Sequence, residues 1–163
     1  MRTKLASALI VIGLLGSSMA PASAILGLSQ CEKVKKQIAN EEKVGVLLHR
    51  KYVEQRKILL RMSSPTFNNL SNAMSWLPDV YDSDLRIYNM VDKNSSCFTS
   101  KQVARARSEA RSAKKDISDI ATVRKLLINN ANAGQKSLAP EQIKVLDGLY
   151  PNYYAFLSNK KLN

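Results

Sequence analysis

From residue 29 onward, apolar residues return every three or four positions in three long stretches. None alternates with period two for long enough to make a strand, so the pattern predicts an all-α fold. The first stripe steps through Cys31, Val34, Ile38, Leu48, Tyr52, Leu59 and Met62, interrupted at Glu41, Gly45 and Gln55. Ser29 with Glu32 three residues later has the form of a capping box at its start, and Ser63-Ser64-Pro65 closes it. A second stripe runs Phe67, Leu70, Met74, Leu77, Tyr81, Tyr88 and Val91, with Asp84 as its one polar member. Ser64 is its expected N-cap, with Pro65 in the first helical position. Pro78 lies inside the register and predicts a kink or a break there.

The third helix has the strongest start signal. Thr99 and Gln102 suit a capping box, and Phe98 and Val103 suit a hydrophobic staple. Its stripe of Val103, Ala106, Ala110, Ala113, Ile117, Ile120, Leu127 and Ala131 is broken only by Arg124, and it closes near Asn132 and Gly134. Pro140 opens a short helix ending near Gly148, and Pro151 is expected to open a last turn or two through Tyr153, Tyr154, Phe156 and Leu157. The prediction is an up-down-up bundle of three long helices, the second kinked or broken at Pro78, with short C-terminal helices laid back over it. Each long segment would run roughly 50 Å at 1.5 Å per residue, and this brings Cys97 to the end of the bundle where Cys31 starts. The bulky Tyr81 and Tyr88 then face Ala106 and Ala110, and Phe67 and Leu70 face Ile120 and Val123.

The N-terminus changes the compartment. Arg2 and Lys4 precede an apolar run from Leu5 to Leu15, too short to span a bilayer, and Ala22-Ser23-Ala24 follows. This is the form of a secretory signal peptide. Residues 1–24 are assigned to it, cleavage is expected after Ala24, and residues 25–163 form a single helical domain with no transmembrane span. Export to the periplasm or the cell exterior favours a Cys31–Cys97 disulfide, since these are the only two cysteines. Leu28-Ser29-Gln30 before Cys31 does not suit a lipidation site.

Charge narrows the partners. The formal net charge is +12, and removing Arg2 and Lys4 with the leader leaves +10. Residues 29–62 carry net +5, residues 98–133 net +5, and the stretch between them net −2. Lys101, Arg105, Arg107, Arg111, Lys114 and Lys115 all avoid the apolar register, as do Lys33, Lys35, Lys36, Lys43, Arg50, Lys51, Arg56, Lys57 and Arg61. Those six cations of the third helix are the candidate contact with an anionic envelope polymer, lipid headgroups or an acidic protein. The same faces also serve solubility. Nucleic acid is the less favoured partner, because Tyr52 is the only aromatic residue among the basic runs. Long helices with exposed heptads are compatible with a coiled-coil homodimer.

Catalytic and metal chemistry find no motif. His49 is the only histidine and is expected at the surface or its boundary. No phosphate-cradling glycine loop or nucleophile elbow occurs. Asp79, Asp82 and Asp84 lack the glycine and glutamate of a calcium loop and read as capping, solvated side chains. Asn69-Leu70-Ser71 and Asn94-Ser95-Ser96 match the glycosylation sequon. Without a Cys-x-x-Cys pair the cysteines read as structural. Tyr150, Tyr153 and Tyr154 suit a ligand, a membrane interface or, more simply, anchoring of a terminal helix. The expected function is a non-catalytic binding or structural role at the cell envelope, with no cofactor. A periplasmic holdase-like chaperone and an enzyme whose site is assembled from isolated residues are the alternatives.

Overall fold

The computed structural model describes residues 22–134, 137–150 and 152–162. Most of the signal-peptide assignment, residues 1–21, and the Pro151 start signal lie outside the described residues. The chain divides into two compact units, Met1–Lys33 and Val34–Asn163. The described part of the first is helical. The fold is all-α, with one disulfide, Cys31–Cys97, and no free cysteine. No helix among the described residues is long and apolar enough to cross a membrane.

Helix α1 spans Ala22–Arg61. It starts upstream of the expected cap, so Ser29 lies inside the helix; no proline stands between Ala22 and Ser29 to stop it. Helix α2 spans Phe67–Met74 and is capped by Thr66 rather than Ser64. Thr66 Oγ1 accepts from the Asn69 N–H at 3.2 Å, while Asn69 Oδ1 accepts from the Thr66 N–H at 3.0 Å. Ser64 could not form this reciprocal pair, because the residue three positions later is Phe67. Pro65 is buried ahead of the helix, and its carbonyl accepts from the Leu138 N–H at 2.9 Å.

The proline in the second stripe breaks the helix. Helix α3 spans Leu77–Lys93 with Pro78 in its first turn, where no N–H is needed. A 3₁₀ turn, Ser95–Cys97, leads to α4, Ser100–Asn132. Thr99 caps α4 as expected, accepting from the Gln102 N–H at 3.2 Å while Gln102 Oε1 accepts from the Thr99 N–H at 3.0 Å. Gly134, with φ of +92°, turns the chain away. The single helical turn α5, Pro140–Ile143, runs into a 3₁₀ turn, Lys144–Leu146.

Two apolar clusters make up the core of the second unit. One joins Tyr52 and Leu59 of α1 to Phe67, Leu70, Met74, Leu77, Ile120, Leu127 and Leu146. In the other, Val34 and Ile38 meet Ile87, Val91, Val103, Ala106 and Phe156. The expected last helical turn does not form. Residues 152–162 fold into a short return, with an antiparallel bridge between Tyr154 and Lys161 and Asn159 at φ +53° in the turn. The N–H of Phe156 is bonded to Glu42 Oε1 at 2.9 Å instead of to a preceding carbonyl.

Candidate functional site

The six cations expected to meet an anionic partner are all exposed on α4. Three of them have partners. Arg107 pairs with Asp92 at 2.6 Å, Lys115 with Asp119 at 2.5 Å, and Arg105 with Glu109 at 3.7 Å. The Arg105 guanidinium also lies over the Phe156 ring, 4.9 Å from its centroid. Lys101, Arg111 and Lys114 have no ion pair among the described residues. Arg107, Arg111 and Lys114 recur at steps of four and three, so they form one row along the helix. On α1, Lys51 sits 4.6 Å over the Trp76 ring, and Arg56 pairs with Asp147 at 2.8 Å.

A second constellation lies in the core and departs from the sequence reading. His49 is fully buried and Asp84 is 6 % exposed, rather than at the boundary or solvated. Asp79 and Asp82 do stay in solvent. Their neighbours on the helix explain the difference: position 84 belongs to the apolar register and points inward, whereas 79 and 82 point out. Both Asp84 oxygens accept phenolic hydrogen bonds, Oδ1 from Tyr153 at 3.0 Å and Oδ2 from Tyr150. His49 Nε2 lies 2.6 Å from the carbonyl oxygen of Tyr150, and since a carbonyl only accepts, the ring proton is on Nε2.

Backbone geometry makes this cluster reachable. Tyr150 adopts φ of +46°, a left-handed conformation costly for a bulky side chain, and so presents its hydroxyl to Asp84 and its carbonyl to His49. Gly45 on α1 supplies the space for Tyr153. A Cβ at position 45 would collide with the Tyr153 hydroxyl and lie 2.5 Å from its Cζ. Ser83 donates to Glu41 Oε1 at 2.8 Å, and Arg86 Nε donates to the same oxygen at 2.9 Å.

Burial dominates the electrostatics. It pushes the Asp84 carboxyl up to about 6, opposed by the two phenol hydrogen bonds and reinforced by the charges of Glu109 and Glu42. Burial lowers His49, against the hydrogen bond to Tyr150. Glu42 is raised by burial, partly offset by the Phe156 N–H. Tyr81 is pushed up to about 12 by burial and by the charges of Asp116 and Asp84, and Tyr88, Tyr150 and Tyr153 are raised by burial first and by Asp84.

A cleft opens beside this cluster, between α3, α4 and the C-terminal segment. Its outer part, about 330 Å³, is bounded by Tyr88, Arg105, Tyr150, Asn152 and Phe156 among others. The inner part, about 170 Å³, is lined by Tyr81, Asp84, Tyr88, Glu109, Ser112, Ala113, Asp116 and Tyr150. Among the described residues no group of acids, histidine or cysteines is placed to hold a metal ion. The sequence signal for the cluster was an aspartate in an apolar register and a histidine four residues after a glycine in the stripe. No protein-family model matches this sequence, and no curated protein or solved structure matches it.

Proposed function

We propose that this is a non-catalytic binding protein, exported through a cleaved N-terminal signal peptide, whose basic α4 face engages an anionic partner at the cell envelope. The carrying observation is that Lys101, Arg111 and Lys114 are exposed with no ion pair among the described residues, on a helix whose inward stripe is apolar. Such cations do nothing for the core, and they remain available to phosphate or carboxylate groups. The disulfide is compatible with an oxidising compartment.

The test is binding to vesicles containing phosphatidylglycerol, with zwitterionic vesicles as control. Affinity should fall steeply as salt rises, and the charge reversals Arg111→Glu and Lys114→Glu together should weaken it at least about tenfold at physiological salt while helix content stays the same. Parental binding by that double variant would leave the cations as solubilising groups only.

A second reading, the holdase-like chaperone, is favoured by a different observation. Leu47 and Leu126 are 59 % and 57 % exposed, and Ile58 and Leu60 are also exposed, which offers apolar contact to an unfolded chain. Such contact would survive high salt, and the charge-driven contact would not.

A further inference from the structure

We propose that the tyrosine-walled cleft between α3, α4 and the chain around Tyr150 binds a small organic cation, an alkylammonium group, with Glu109 and Asp116 at its rim. The walls carry the argument. The inner 170 Å³ is lined by Tyr81, Tyr88 and Tyr150, and its other lining is carboxylates, Ser112 and Ala113. The one basic side chain beside it, Arg105, lines the outer part and pairs with Glu109 at 3.7 Å, which leaves Asp116 as the unpaired surface carboxylate among the described residues of the cleft. In a chain of formal net charge +12 this volume reverses the prevailing sign. Aromatic faces attract a desolvated cation through the ring quadrupole.

The arrangement also selects against other occupants. An inorganic cation needs several convergent oxygens, yet both Asp84 oxygens are taken by tyrosine hydroxyls, and no acid group among the described residues is placed to hold a metal. An anion would face three carboxylates. A neutral apolar molecule would gain the rings but nothing from the charges. Asp84 acts as a positioning residue: it fixes the Tyr150 ring, which meets Tyr81 edge-on at a centroid distance of 4.8 Å. The outer part already shows the chemistry, since Arg105 lies over Phe156.

Calorimetric titration of the folded, disulfide-bonded protein with choline tests this, against 3,3-dimethyl-1-butanol, its neutral isostere. Saturable choline binding, at least tenfold tighter than the isostere, is the expected result. Glu109→Gln with Asp116→Asn should weaken choline at least tenfold while shifting the melting temperature little, because both side chains lie outside the core clusters and the exposed Arg105–Glu109 pair adds little stability. If that pair disturbs folding, Asp116→Asn alone should still weaken choline relative to the parent. Equal affinity for choline and the isostere, absence of saturable choline binding, or a folded neutralised variant with parental affinity would each overturn the proposal. These outcomes are read separately from vesicle binding, which rests on Lys101, Arg111 and Lys114.

Discussion

At the scale of single residues, the informative position is Asp84. A buried carboxylate is costly unless it is hydrogen-bonded, and the structure answers with two phenols rather than a base. The consequence is a pH dependence of opposite sign at two neighbouring groups. Asp84 is raised from 3.8 to about 6, so the folded state holds its proton more tightly than the unfolded chain does. The stability that this group contributes is fully present below about 4 and is lost as pH rises through about 6. His49 is lowered from 6.5, so its contribution is present above that value and is lost as pH falls through its folded pKa. Asp84→Asn should therefore lose, relative to the parent, stability on the order of 1 to 3 kcal/mol on going from about pH 8 to about pH 4. His49→Gln should change the profile in the other direction. Urea unfolding across this range checks both signs, and a profile for Asp84→Asn parallel to the parent's would mean that the carboxyl does not titrate in the fold.

At the scale of elements, legibility depended on whether a signal was local. Thr99 and Gln102 satisfy each other within one turn, and Pro78 stops a helix through its own ring, so α4 and the α2–α3 break could be read directly. Thr66 displaced Ser64 because only Thr66 has a side chain three residues on that can return the bond. The C-terminal return was hidden for the opposite reason: it is held by Glu42 and Asp84, both distant in sequence. Asp84 stands in the second apolar stripe, so its burial follows from its register, whereas Asp79 and Asp82 lie off that stripe and stay exposed. The alanine run of α4, by contrast, could be assigned to packing from its spacing, and Ala106 and Ala113 are buried. The prediction at this scale concerns Gly45. Mid-helix, Gly→Ala ordinarily stabilises by about 1 kcal/mol. Here the added methyl meets the ring of Tyr153, which is 1 % exposed and pinned by Asp84, and overpacking of this kind costs about 1 to 3 kcal/mol. The steric effect should win. Gly45→Ala should lower stability in urea unfolding and loosen the 152–162 return, seen as faster amide exchange at Phe156; a more stable Gly45→Ala protein would mean that Tyr153 moves aside at little cost.

At the scale of the whole chain, sequence alone supplied the charge distribution and the cysteine pairing, because charges can be counted along the chain and only two cysteines are present to pair. It could not supply the cleft, which exists only where side chains from α3, α4 and the C-terminal segment converge. The disulfide acts at this largest scale through the unfolded state. Joining Cys31 to Cys97 closes a long loop in the denatured chain, and the loss of chain entropy there favours the folded protein by about 4 kcal/mol on the loop-closure model. That is comparable to a large part of the total stability of a small domain, about 5 to 15 kcal/mol. Reduction, or Cys31→Ser with Cys97→Ser, should therefore leave a protein that still folds in the cold but melts at a much lower temperature. Because the bridge restricts the denatured chain, the urea m-value should also rise once it is absent, as more surface becomes exposed on unfolding. A fall in stability with an unchanged m-value would place the stabilisation in native contacts near the cysteines rather than in the unfolded chain, and a reduced protein as stable as the parent would remove the bridge from any structural role.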